Sequence, residues 1–216
     1  FQHMDINRIS FYQYNTIIVG TGAAGLNAAV TLHKLGQKNI ALITEGRYMG
    51  TSRNTGSDKQ TYYKMTQCGS EPDSVRKMAK TLFEGGCVDG DIAMAEAAGS
   101  LRAFYHLVDI GVPFPFNKSG EYVGYKTDHD PLKRGISAGP LTSKYMTECL
   151  ERQAEERGIP FFDGYQAVRL LTEEKDGEKR AAGIIALNKQ KAASPDERYA
   201  VFSAVNIIWA TGGEAG

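Results

Sequence analysis

The stretch that most limits how this chain can fold runs over residues 14–25, Tyr-Asn-Thr-Ile-Ile-Val-Gly-Thr-Gly-Ala-Ala-Gly. Its first half is apolar and β-branched, so residues 16–19 read as a buried strand. Gly20, Gly22 and Gly25 then fall in a turn and in the first turn of a helix. Each removes a Cβ: for the tight turn, for close approach of backbone to a bound group, and for packing of helix on strand. The helix start presents N–H groups with no intrahelical partner, together with the positive end of its dipole. The backbone of Gly20, Gly22, Ala23, Ala24 and Gly25 is therefore a candidate cradle for a pyrophosphate.

A glycine triplet alone is a weak signal, and the context is what strengthens it. A second apolar run follows at residues 39–44, and Glu45 stands directly after it, placed to accept hydrogen bonds from ribose hydroxyls. Strand, glycine turn, helix, strand and acid together point to a bound dinucleotide. The bland alternative, a merely tight βα turn, requires neither the second strand nor the acid.

Beyond Glu45, residues 46–59 lack any period and are dense in hydroxyls, amides and glycine. Loops at the carboxyl ends of parallel strands are where ligands bind, so Thr51, Ser52, Thr55, Gly56 and Ser57 are candidate donors to a phosphate or a polar heterocycle. Helices are predicted over residues 74–83, 91–110 and 141–156. In the second of these Met94, Ala97, Ala98, Leu101, Phe104, Tyr105 and Val108 form the apolar stripe; in the third Leu141, Tyr145, Met146, Cys149 and Leu150 do so. Residues 112–135 are rich in Pro, Gly and aromatics, with short strands expected around residues 121–125. They hold Asp128, His129, Asp130 and Arg134, a poor metal set because adjacent loop residues do not readily surround one ion. A structural role, or one at a cofactor's edge, is favoured there over direct catalysis.

The last quarter reads as a three-stranded antiparallel meander over residues 166–172, 181–187 and 199–203. A separate apolar strand at 205–210 follows, and Thr211-Gly212-Gly213 makes a second glycine turn.

The 25 basic and 25 acidic residues cancel, so no nucleic-acid or anionic-membrane surface is indicated. No apolar run approaches the roughly twenty residues that span a bilayer, and the expected location is cytoplasmic. Cys68, Cys87 and Cys149 are widely spaced and read as reduced, partly buried thiols. Phe1, Gln2 and His3 ahead of Met4 look like a cloning remnant, so fold reasoning starts at residue 4.

The series Gly20-x-Gly22-x-x-Gly25, Glu45, the Ser/Thr/Gly loop, the long helix ending in Gly111-Val112-Pro113-Phe114, the meander and Ala210-Thr211-Gly212-Gly213 resembles the flavoprotein subunit of fumarate reductase and succinate dehydrogenase, with L-aspartate oxidase as a relative. The resemblance implies an α/β, Rossmann-like FAD-binding domain with a central parallel sheet, an antiparallel β-meander and flanking helices. It implies FAD as cofactor, with the ADP pyrophosphate over residues 20–25, the adenosine ribose on Glu45 and the adenine against backbone near Ala167. The flavin and its pyrophosphate would lie near residues 51–57, and the cofactor's underside on Thr211 and Gly212. The family's covalent members carry a histidine in an Arg-Ser-His-Thr-like segment; here Tyr48-Met49-Gly50-Thr51-Ser52 stands instead, so FAD is expected to be non-covalent. His129 and Arg134 are similar to a Gly-His-x-x-x-Arg-like stretch of the family, with Asp128 in place of its glycine.

The resemblance further implies that residues 4–216 are the N-terminal part of the FAD domain. The cap domain, the C-terminal half of the domain and the catalytic residues acting on a dicarboxylate-like substrate would then lie beyond residue 216, leaving the piece inactive alone. A truncated sheet leaves an open edge and apolar surface, which favours self-association. Two other readings stand beside this one: an FAD-dependent oxidase or dehydrogenase with a different substrate, and a nucleotide-binding or assembly module without catalysis.

Overall fold

A computed structural model describes residues 8–58, 60–68, 71–128 and 130–213; the expected cloning remnant and His129 lie outside the described residues. In chain order the elements are β1 (Ser10–Val19), α1 (Ala23–Lys34), β2 (Ile40–Thr44), α2 (Thr51–Asn54), β3 (Tyr62–Tyr63), α3 (Val75–Glu84), α4 (Gly90–Asp109), β4 (Gly135–Ile136), α5 (Thr142–Glu156), β5 (Phe161–Asp163), β6 (Tyr165–Lys175), β7 (Glu178–Asn188) and β8 (Tyr199–Trp209). They divide into two compact units, Phe1–Asn54 with Leu150–Gly216, and Thr55–Cys149.

The first unit is built on one six-stranded sheet of order β5-β2-β1-β8-β7-β6. Its first four strands run parallel, and β7 and β6 extend it antiparallel. The continuous apolar run Ile40–Thr44 is buried along its whole length, as a parallel strand covered on both faces must be. On one face Ile17, Val19 and Ile43 share a core with Ile184, Ala186, Ala200, Phe202 and Ala204 of the meander. The rings of Tyr12, Phe162 and Tyr165 surround Phe202 at centroid distances of 4.9, 4.8 and 5.5 Å. Helix α1 packs against β1 and β2 through Gly25, Leu26, Ala29 and Val30. Each large aliphatic side chain so buried stabilises by about 1.5–3 kcal/mol.

The separate runs expected at residues 199–203 and 205–210 are a single strand, β8. Its first half pairs antiparallel with β7, while nearly its whole length pairs parallel with β1. Being shared by meander and parallel sheet, it runs straight through Ala204, where the sequence had suggested a break. To match it, β1 begins at Ser10, six residues ahead of the expected strand.

In the second unit α3 and α4 pack on each other through Met78, Ala79, Ala93 and Ala97. Their N-termini are capped as the sequence allows: Ser74 Oγ accepts from Lys77 N–H, and Asp89 Oδ1 accepts from the N–H groups of Asp91 and Ile92. The buried stripe of α4 is Ala93, Ala97, Ser100, Phe104 and Leu107, and the expected Met94 and Tyr105 face out. Small side chains at 93 and 97 let the helices approach, and buried Ser100 Oγ accepts from Met65 N–H at 3.2 Å. Strands β3 and β4 form a small antiparallel pair, and the strand expected near residues 121–125 is one bridge, Tyr125 to Gly135. Leu141 precedes α5 and is exposed, and so is Cys87. Among the described residues no helix is long and apolar enough to cross a membrane.

Candidate functional site

The glycine turn is stitched to strands on both sides. Gly20 N–H donates to Ile43 O and Ala210 N–H donates to Val19 O, each at 2.8 Å, and buried Thr21 Oγ1 donates to Thr44 Oγ1 at 3.1 Å. Within this frame the three glycines differ. Gly20 has φ +110°, and a Cβ on it would land on the Ala210 carbonyl. A Cβ on Gly25 would land on the Gly20 carbonyl, so this residue lets α1 close on the strand. A Cβ on Gly22 would meet only Ser52 Oγ, at 3.4 Å. Protein packing therefore requires the first and last glycines but leaves the middle one bordering open space.

That space is a cleft of about 530 Å³ in the first unit, within the usual range for small-molecule sites. Its walls are residues 19–24 of the turn, 43–46 at the end of β2, 49–52, Tyr165, Gln166 and Ala167 of β6, and 209–212 after β8. The first turn of α1 carries no acidic residue, which leaves the positive end of its dipole available to an anion. Ala23 N–H meanwhile donates to Ser52 Oγ at 3.3 Å.

The wall at residues 49–52 is held from behind. Arg47 Nε donates to Glu151 Oε1 at 2.5 Å, Arg47 also pairs with Glu155, and Arg53 pairs with Glu151 Oε2. The Arg47 guanidinium lies 4.0 Å from the centre of the Phe161 ring, and Arg47 N–H donates to Asp163 Oδ1 at 2.8 Å. Glu151 is a buried carboxylate whose two oxygens each meet an arginine, so it fixes both ends of the segment carrying Thr51 and Ser52.

Ten residues singled out in the sequence line this cleft: Gly20, Gly22, Ala23, Ala24, Glu45, Thr51, Ser52, Ala167, Thr211 and Gly212. Gly25 lies buried beneath the turn. Thr55, Gly56 and Ser57 belong to the second unit, where Ser57 N–H donates to Pro140 O at 3.0 Å and Gly56 lies against Leu141. The expected loop of residues 46–59 is thus interrupted by the helical turn Thr51–Asn54. Sequence reasoning did not single out Met49, Tyr165 or Gln166 as walls, nor Lys189, whose Nζ lies 3.0 Å from Glu45 Oε1. No local pattern marks Lys189, since 144 residues separate it from its partner.

The acid–guanidinium cluster of the second unit is of another kind. Arg134, 1% exposed, donates through Nε and Nη2 to the two oxygens of Asp73 at 2.9 and 2.7 Å. Its Nη1 reaches Tyr63 Oη, Thr81 Oγ1 and Asp130 at 2.9–3.3 Å. Burial alone would raise the Asp73 pKa, but the bonds from Arg134 and from the N–H groups of Thr66 and Ser74 hold it below the ordinary value. Burial, and then the bond to Asp130, push the Tyr63 phenol up to about 12. Lys64, buried over the Phe104 ring at 4.8 Å, is shifted down by burial.

Residues 15–216 match the family described as FAD binding domain. The L-aspartate oxidase of Pseudomonas aeruginosa is 29% identical over 195 residues, a match covering 83% of this chain and 34% of that protein. The succinate dehydrogenase flavoprotein subunit of Rickettsia conorii is 26% identical over 230 residues, covering 95% of this chain and 34% of that protein. Among solved structures, quinol fumarate reductase of E. coli aligns with a TM-score of 0.76 at 21% identity, over 95% of this chain and 33% of that one. The chain thus spans 34% of the length of each of these two curated relatives.

Proposed function

The chain belongs to the FAD binding domain family, and from that premise we propose that the cleft at the glycine turn takes the adenosine-diphosphate half of FAD. The observation that carries this reading is Gly22, which lines the cleft at a helix N-terminus where a Cβ would meet only Ser52 Oγ, with Glu45 on the same cleft. The pyrophosphate would meet the backbone N–H groups of residues 22–25, the ribose Glu45, and the adenine the backbone beside Ala167. Thr211 and Gly212 would underlie the cofactor, and Thr51 and Ser52 would face its pyrophosphate, with Ser52 Oγ exchanging its bond from Ala23 N–H for one to a phosphate oxygen. FAD is read as held without a covalent bond because Tyr48-Met49-Gly50-Thr51-Ser52 carries no histidine where the covalent members of the resembled family have theirs.

FAD when bound supplies two-electron hydride chemistry; the protein's part is to bind it, orient it and set its charge environment. For the whole protein we propose oxidoreduction of a dicarboxylate-like substrate, as the names of the relatives indicate for those enzymes. On this reading the chain alone binds cofactor without turning substrate over. Arg134, the arginine the sequence singled out, is 1% exposed and is paired with Asp73 and Asp130 inside the second unit.

Titrating the purified chain with FAD, NAD and ADP, followed by flavin and tryptophan fluorescence, tests the reading. FAD should bind tightest, ADP should compete with it, and acid precipitation should release all of the flavin into the supernatant. No binding of FAD, or NAD binding as tightly as FAD, would overturn the assignment; flavin retained in the acid pellet would overturn its non-covalent part.

A further inference from the structure

The acid that ends β2 has a partner from the far side of the meander. Lys189 Nζ lies 3.0 Å from Glu45 Oε1, and both side chains are about two-fifths exposed, at 43% and 44%. The lysine sits on a fixed turn. Its N–H donates to Gly164 O at 2.9 Å, and the preceding Asn188 is buried. Asn188 Nδ2 donates to Tyr165 Oη at 3.2 Å, and its Oδ1 accepts from Gln190 N–H at 3.0 Å. Tyr165 and Glu45 both line the cleft, so this turn delivers an ammonium group to the cleft's rim beside the acid.

An exposed ion pair adds little to folding stability, because water screens it and two long side chains lose freedom. The pair has more to offer a ligand. A ribose diol presents two hydroxyls, each able to donate and to accept; a carboxylate only accepts and an ammonium only donates. Among the described residues Glu45 Oε2 has no protein partner, whereas Oε1 is held by Lys189. The ammonium also offsets the repulsion between Glu45 and the two negative charges of a pyrophosphate bound at the glycine turn.

We propose that Lys189 and Glu45 act together as a clamp on the adenosine ribose, Glu45 accepting from one hydroxyl and Lys189 donating to the other while holding the carboxylate in place. The clamp rests on the reading of the cleft as the ADP end of the FAD site. Lys189 is then a specificity-determining residue supplied by the turn after β7.

The test is competition of ADP and 2′-deoxy-ADP against FAD on the wild-type chain and on K189A, K189R and E45Q, with thermal melting as the folding control. In wild type ADP should displace FAD about tenfold better than the deoxy analogue, the scale of one charge-assisted hydrogen bond. K189A should melt as wild type does and lose most of that preference, as should E45Q; K189R should restore it in part. With 3′-deoxy-ADP added as a third competitor, if K189A keeps the preference for ADP over both deoxy analogues, or weakens all three nucleotides equally, the clamp is wrong and the FAD site stands. If wild type binds neither FAD nor ADP, both readings fall together.

Discussion

Two polar clusters in this molecule invite opposite readings, and the difference between them lies in whether their hydrogen bonds are already spent. Around Arg134 every donor named above has an acceptor within the second unit, and both Asp73 and Arg134 are about 1% exposed. Around Gly22 the reverse holds. The helix start faces a cleft, Glu45 keeps one oxygen without a protein partner among the described residues, and the nearest side-chain atom to a would-be Cβ is a hydroxyl at 3.4 Å. A saturated cluster holds a fold together; an unsaturated one, on a frame that is itself saturated, is where a ligand belongs.

The comparison breaks most sharply at Arg134. R134A leaves two buried carboxylates uncompensated and should destabilise the chain by about 3–5 kcal/mol in urea unfolding. R134K should recover little, because an ammonium cannot reproduce the two-pronged bond to Asp73. A loss below about 1 kcal/mol would mean that the cluster is not structural.

The glycines sharpen it from the other side. G25A forces a Cβ into the Gly20 carbonyl and should cost about 1–3 kcal/mol of stability, with FAD binding lost as a consequence. G22A meets only Ser52 Oγ, at an ordinary contact distance of 3.4 Å, so its stability should stay within about 0.5 kcal/mol of wild type, as for surface changes. Its FAD affinity should nevertheless fall, since the added methyl occupies the place of approach. Equal stability losses for the two variants would erase the distinction between a packing glycine and a ligand-facing one.

The smallest effect is that of acid. Asp73 titrates below its ordinary value in the folded chain, so its contribution is present above the unfolded carboxylate range, about pH 4, and is lost as pH falls through the folded value. Wild type should therefore lose stability below about pH 4, and D73N should show a shallower fall over the same window. Identical acid limbs for the two proteins would remove Asp73 from the account.

Much of this was legible in the sequence because the signals are local. The glycine turn, the buried run Ile40–Thr44 and the caps at Ser74 and Asp89 each depend on a handful of neighbouring residues. The misreadings occurred where distant elements decide. Met94 and Tyr105 fit a helical stripe as well as Ala93 and Ser100 do, and only the approach of α3 to Ala93 and of Met65 to Ser100 selects the small residues. Ala204 and Val205 look like a seam, and only pairing with β1 carries β8 through them.

The sequence by itself determined that a strand, a three-glycine turn and a helix build a phosphate cradle with an acid beyond it, because Cβ sterics and helix-end hydrogen bonding act over a few residues. Tertiary structure decided what surrounds that cradle. It set Glu151 behind residues 49–52, buried Arg134 where it serves the fold, and brought Lys189 across 144 residues to Glu45. Pairings at such separation follow from sheet order and packing, which no local pattern encodes.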